Sequence, residues 1–250
     1  MLNLITPESR QAILGAADPR KIYDLSVDNF VGMPGWFSAG DQPYQMWMTH
    51  TPEGEVVDDR MGVGVRGNTL VSYSGDAISM YTHTGTHIDA LNHFGYGGVV
   101  FNGFSSREHM GSRDWRKAGA DKHPPIFARG IMLDVPIRTV RMRYWPDHAT
   151  YLPEPPGLTH EGAEFLAQDG AAMIGADNHT LEQIPSADAG NWQVVHTYLL
   201  TEAGVPILEM ANLEDLAADG VFEFVFFGAC IRLRGATGAP MRPVAIPIRG

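Results

Sequence analysis

Basic side chains are scarce in this chain: 18 Lys and Arg stand against 29 Asp and Glu, a formal net charge of −11 with a pI of about 5.3. Phosphate backbones and anionic lipid surfaces are bound by clustered Lys and Arg, so neither a nucleic acid nor a membrane is expected as a partner. Cysteine is reduced to Cys230, inside the apolar run Phe222-Glu223-Phe224-Val225-Phe226-Phe227-Gly228-Ala229-Cys230. A single cysteine excludes an intrachain disulfide, and these flanks suit a small buried hydrophobe better than a nucleophile. Long apolar runs are missing too; none approaches the ~18 residues of a membrane span. The opening Met1-Leu2-Asn3-Leu4-Ile5-Thr6-Pro7-Glu8 lacks a basic start and an apolar core, so no secretory signal is expected and the cytoplasm follows by default. No Gly-x-Ser-x-Gly elbow occurs, no phosphate loop, and no Gly-x-Gly-x-x-Gly that opens a helix after a strand.

What is present is concentrated in one stretch, Met80-Tyr81-Thr82-His83-Thr84-Gly85-Thr86-His87-Ile88-Asp89-Ala90-Leu91-Asn92-His93. His83, His87, Asp89 and His93 share one parity. In an extended chain that puts them on one face, with Gly85 leaving room between the first two histidines. Imidazoles beside a carboxylate suit zinc, manganese or iron(II). Three ligands, His83, His87 and Asp89, leave coordination positions open for water and substrate, as in a catalytic rather than a structural site. His93 lies too far round the following turn to bind the same ion in the same way and is the candidate general acid or base. Two residues far along the chain, His196 on the apolar side of a helix and Glu209 at the end of an apolar strand, could bring a second ion to Asp89.

The 250 residues, 44% hydrophobic, fit one large domain or a domain with a small lobe, with a proper core and no repeat or linker. Thr6 and Pro7 start a helix over 6–17. Strands are expected at 21–26, 43–48, 68–74, 77–89, 130–135, 171–177, 205–210 and 221–233, the last with a break at Gly228. Loops fall at 32–41 and 101–122, a loop or hairpin at 51–67, and a tight turn at 94–98. Residues 138–151, basic and aromatic, read as a surface or subunit contact. His109 and His123 read as surface histidines. Thr159 caps a helix ending at Gly170, and a second helix over 191–202 carries Trp192, Val195, His196, Leu199 and Leu200 at helical spacing. A turn of helix at 213–216, a glycine loop and a short last strand complete an α/β pattern, a mixed sheet with helices packed on it. Trp36, Phe37 and Trp47 either wall a pocket or plug the core.

At these residues the chain resembles the cyclase family of metal-dependent hydrolases, which includes bacterial kynurenine formamidase and isatin hydrolase. The family carries His-x-Gly-Thr-His-x-Asp-x-Pro-x-His; His83 to Asp89 match it fully and His93 matches its last position, while Leu91 replaces the usual proline. Tyr23-Asp24-Leu25-Ser26, Gly32-Met33-Pro34, the block from His196 to Glu209, and Gly235-Ala236-Thr237-Gly238-Ala239-Pro240-Met241-Arg242-Pro243 resemble further family segments in the same order. An Arg-Thr-Gly-Trp-like segment that longer relatives carry is not found between Asp134 and Thr159. The resemblance implies a swivelling β/β/α fold, a homodimer or homotetramer, and metal-dependent opening of a C–N bond in a cyclic amide or aryl formamide. It implies His83, His87 and Asp89 as ligands of a first ion, His93 as acid/base, and His196 and Glu209 serving a second ion or its surroundings. Isatin hydrolases tend toward one manganese and formamidases toward two zincs. Trp36, Phe37, Trp47, Phe94 and Tyr96 would hold a flat apolar substrate. The alternatives are a lactone hydrolase or cyclase on the same metal site, and a catalytically silent metal- or ligand-binding protein.

Overall fold

Thr6 begins the first helix as its residue type dictates: its hydroxyl accepts a hydrogen bond from the Ser9 backbone N–H at 3.2 Å, and Pro7 occupies the first turn. The computed structural model describes residues 5–133 and 156–249. The helices are α1 (Pro7–Ala16), α2 (Pro52–Asp58), α3 (Gly64–Leu70), α4 (Ser106–His109), α5 (His160–Gln168), α6 (Val194–Thr197), which runs on as a π-helix over Tyr198–Ala203, and α7 (Glu214–Ala218). The strands are β1 (Tyr23–Asp24), β2 (Gln45–His50), β3 (Gly75–Ser79), β4 (His87–Asp89), β5 (Val99–Val100), β6 (Phe104–Ser105), β7 (Ile126–Ile131), β8 (Ile174–Gly175), β9 (Ile207–Glu209), β10 (Glu223–Gly228), β11 (Gly238–Pro240) and β12 (Val244–Pro247). Contacts gather the chain into two units, Asn29–Tyr81 and the combination of Met1–Asp28 with Thr82–Gly250. Among the described residues no helix is long and apolar enough to cross a membrane.

The larger unit is layered. One sheet has the order β1-β12-β10-β7 and is antiparallel throughout; the other has the order β11-β4-β9-β8, with only β8–β9 parallel. Alternation along the strands explains how they stack. Ile88 of β4, Leu208 of β9 and Ala239 of β11 lie directly opposite one another in register and share one face. They pack in one buried cluster with Tyr23, Phe224, Phe226 and Ala245 of the first sheet. The other face of the second sheet carries Ile207, which joins Ala163 and Ala167 of α5 and Val195, Leu199 and Leu200 of the α6 region in a second cluster. Sheet, sheet and helices therefore follow as β/β/α layers, the expected α/β architecture. His87, Asp89 and Glu209 project to the helix side, because their neighbours in sequence are committed to the inter-sheet core.

The smaller unit holds the antiparallel pair β2–β3 with α2 and α3 between them in sequence. Here the expectations need correcting. Residues 51–67 are helical over much of their length: the Thr51 hydroxyl accepts from Gly54 N–H, Pro52 starts the turn, and Glu53 and Glu55 sit at its positive end. The strand expected at 68–74 is instead the last turn of α3 and an irregular link, and the strand begins at Gly75. Gly62-Val63-Gly64-Val65-Arg66-Gly67 does open α3, but it follows a helix rather than a strand. The single strand expected over 77–89 is two, β3 and β4, separated by turns at 82–86. The readings at 138–151 and around Asp134 fall outside the described residues.

Ile88 is 1% exposed and stands between two functional neighbours, so it reports on both fold and site. Ile88→Ala is expected to cost about 2–5 kcal/mol of stability. Thermal or urea unfolding checks this, and a loss well below 1 kcal/mol would contradict the layered core.

Candidate metal centre

Gly85 has φ +62°, a left-handed conformation natural to glycine, and this turn swings His83 back toward β4. Equal parity therefore accounts for His87 and Asp89, which are on a strand, but not for His83 and His93, which turns deliver. Thr86 anchors the loop: its hydroxyl donates to Met210 O at 2.6 Å and accepts from Val27 N–H at 2.9 Å. On the other side the glycine loop holds Ala90 N–H to Thr237 O at 2.8 Å, and Thr237 Oγ1 lies 3.0 Å from His83 Nε2. A Cβ on Gly238 would fall 2.5 Å from His83 Cε1, so glycine there is the condition for the imidazole's position.

Register then assembles the centre. His87 lies directly opposite Glu209 across β4–β9. His87 Nε2 is 3.2 Å from Asp89 Oδ1 and 3.4 Å from Glu209 Oε2, while His87 Nδ1 donates to Gly85 O at 2.7 Å. His83 Nδ1 is 2.6 Å from Asp89 Oδ1. His196, brought in by α6, places Nε2 3.2 Å from Glu209 Oε1 and 3.5 Å from Asp89 Oδ2. Two ligand sets result, His83–Asp89–His93 and His87–Asp89–Glu209, each with one ligand atom per residue within 4.8 Å of the others. Asp89 belongs to both. His93 is thus closer to the ligands than its distance along the chain suggested; its ring stacks on His83 at 4.0 Å between centroids.

The donor set fits a divalent cation. Asp89 and Glu209 are 0% and 4% exposed, and buried carboxylates need compensating charge. Although their neighbours are near, His87 Nε2 and Asp89 Oδ2 are buried without a hydrogen bond. Imidazole nitrogen and carboxylate oxygen are the ligands zinc and manganese accept.

Electrostatics follow from burial opposed by pairing. Burial alone would raise Asp89, but the imidazoles of His93, His83 and His196 packed around it hold it well below the usual carboxylate range. Glu209 feels burial and the charge of Asp89, both raising it, yet pairing with His196 and His87 draws it down to about 2. For His87, burial favours the neutral ring and is overcome by Asp89 and Glu209, so its pKa rises to about 10. His196 is raised well above its ordinary value in spite of burial, by Asp89, Glu182 and Glu209. His93 goes the other way, to about 3, through burial and the neighbouring His83.

Of the aromatic residues proposed to hold substrate, Phe94 stands at the centre: its ring is 4.6 Å from that of His93 and 5.0 Å from that of His196. Tyr96 is exposed in the following turn, bridged to Val99 through its backbone. Trp36, Phe37 and Trp47 belong to the smaller unit, where Phe37 and Trp47 are exposed rather than core plugs. Trp192 does not serve as a buried helix residue; it is 66% exposed, precedes α6, and its ring lies 5.8 Å from that of Phe94. Glu182, which bonds His196, was not singled out by sequence: a lone glutamate in Leu181-Glu182-Gln183-Ile184 carries no motif. Neither His109 nor His123 belongs to a ligand set, and His123 Nδ1 is buried, not solvated.

Comparison with known proteins agrees with this arrangement. The sequence pattern of the family described as "Putative cyclase" matches residues 23–144. Kynurenine formamidase of Bacillus cereus is 29% identical over 179 residues, covering 68% of this chain and 79% of that protein. Among solved structures, one described as a novel cyclase superposes with a TM-score of 0.81 at 22% identity, covering 98% of this chain and 94% of the other. Isatin hydrolase A from Ralstonia solanacearum gives a TM-score of 0.67 at 17% identity, covering 91% and 92%.

A cation must displace the proton that Asp89 and Glu209 hold on His87, so binding should tighten as pH rises through neutrality, by about tenfold per unit for each proton expelled. Zinc titration of metal-stripped protein against a competing chelator, at about pH 6 and about pH 8, checks this. An affinity unchanged between them would contradict it.

Proposed function

The chain is a relative of the cyclase family, and on that premise we propose that it is a metal-dependent hydrolase that opens the C–N bond of an aryl formamide or cyclic amide, with residues 1–250 acting as one hydrolase domain. The observation that carries the reading is the sharing of buried Asp89 between two His/carboxylate sets. The kynurenine formamidase and isatin hydrolase relatives support a small aromatic amide as substrate. Zinc or manganese fits the ligand types, and the sharing of Asp89 favours two ions over one.

His83, His87 and Asp89 would hold the first ion, and Glu209 and His196 would serve the second. Bound there, a divalent cation supplies Lewis acidity toward a water and the substrate carbonyl. The protein residues do the rest. His93, whose ring stacks on that of the candidate ligand His83, is the proton carrier beside the centre. It takes a proton from the attacking water and returns it to the departing nitrogen, so the C–N bond breaks to leave a carboxylate and an amine. Phe94, edge-on to His93, presents an apolar wall where a flat ring can lie, with Tyr96 as a further candidate. The same centre would serve an ester, which keeps a lactone hydrolase as the alternative within enzymes. Likeness to this family extends the proposal to a homodimer or homotetramer in the cytoplasm.

A second reading is favoured by the His83–Asp89–His93 grouping: His93 as a metal ligand. His93→Ala separates the two. With His93 as the proton carrier, the variant should keep its metal and lose about 10²–10⁴-fold in turnover of an aryl formamide or cyclic amide. Loss of metal together with activity would instead make His93 a ligand, and wild-type turnover would remove it from the mechanism.

A further inference from the structure

Glu182 is buried, 1% exposed, and spends both carboxylate oxygens on the element that delivers His196. Oε1 accepts from the His196 backbone N–H at 2.9 Å and lies 2.6 Å from His196 Nδ1; Oε2 accepts from the Val195 N–H at 3.1 Å. The backbone of Glu182 is itself fixed, since Thr180 Oγ1 donates to its carbonyl at 2.9 Å. Gly157 packs so closely that a Cβ there would lie 2.2 Å from the carbonyl carbon of Glu182.

We infer that Glu182 is a positioning residue for the metal centre, fixing the ring and tautomer of His196 so that Nε2 is presented to the cation between Asp89 and Glu209. A carboxylate only accepts hydrogen bonds, so His196 Nδ1 keeps its hydrogen against Glu182, and Nε2 is the nitrogen that gives up its proton to offer a lone pair to a ligand. Nε2 is the atom that lies 3.2 Å from Glu209 Oε1 and 3.5 Å from Asp89 Oδ2. One side chain thus ties the start of α6 and the orientation of its imidazole together. Buried carboxylate partners of this kind hold metal-ligating histidines in place, and losing one typically costs 10–100-fold in metal affinity.

The inference rests on the centre's binding a divalent cation, and the test distinguishes the two claims. Manganese alone is titrated into metal-stripped wild type, Glu182→Gln and Glu182→Ala, with bound ion counted by the loss of the free-ion resonance signal. Metal-free melting is followed in parallel. Glu182→Gln keeps the side-chain volume and one acceptor, and so decides the matter if the alanine variant fails to fold. The expected result is binding weakened about tenfold in Glu182→Gln and up to about 100-fold in Glu182→Ala, at the ion that needs His196. Folded Glu182→Gln that binds manganese as wild type does, with only its melting lowered, would overturn the assignment and leave Glu182 a structural cap. Wild type that takes up no ion would overturn the cation reading itself, and this inference with it.

Discussion

Two carboxylates inside the protein, Asp89 and Glu209, impose a condition that the surrounding structure meets. Each buried charge costs several kcal/mol of lost hydration unless opposite charge and hydrogen bonds replace the water. Three imidazoles supply that in the metal-free chain: His83 on Asp89, His87 between the two acids, and His196 reaching both. The raised pKa values of His87 and His196 express the same fact, because those rings stand where a cation would. A divalent ion meets the condition better than protons do. It brings two charges to one point and satisfies His87 Nε2 and Asp89 Oδ2, which the protein alone leaves without hydrogen bonds.

The layers of the larger unit exist in register with this centre. Ile88 and Leu208 fill the space between the sheets, and their packing turns His87, Asp89 and Glu209 toward the helices. Leu199 and Leu200 seat the α6 region on that face and carry His196 in with it. The π-helical continuation of α6 adds a further tie, since Thr201 Oγ1 donates to Phe94 O at 3.0 Å, next to His93. Function is therefore coupled to stability: a residue that loosens either cluster displaces a ligand as well.

Much of this was legible in the residues. Thr6-Pro7 and Thr159 announced their helices because capping is local chemistry, read within three positions. The pairing of His87 with Asp89 on one face was legible because β4 is a true strand. His83 and His93 reach the site through turns, so their arrival depends on Gly85 at positive φ and on the glycine loop, not on parity. The helices after Thr51 were missed because α2 and α3 are short, glycine-containing and largely exposed, which leaves no apolar period to read. Trp192 looked like helix core by spacing, but it precedes the helix and its side chain stays in solvent. Glu182 was invisible for a different reason: its role is set by a contact 14 residues away in sequence that only the tertiary fold creates.

The account depends most on Asp89 as the ligand common to both sets. Elemental analysis of purified wild type and Asp89→Asn, which changes the charge and little of the volume, addresses it most directly. The expected result is zinc or manganese at one or two ions per chain in wild type and essentially none in Asp89→Asn. A metal-free wild type, or an Asp89→Asn protein loaded to the same level, would contradict it.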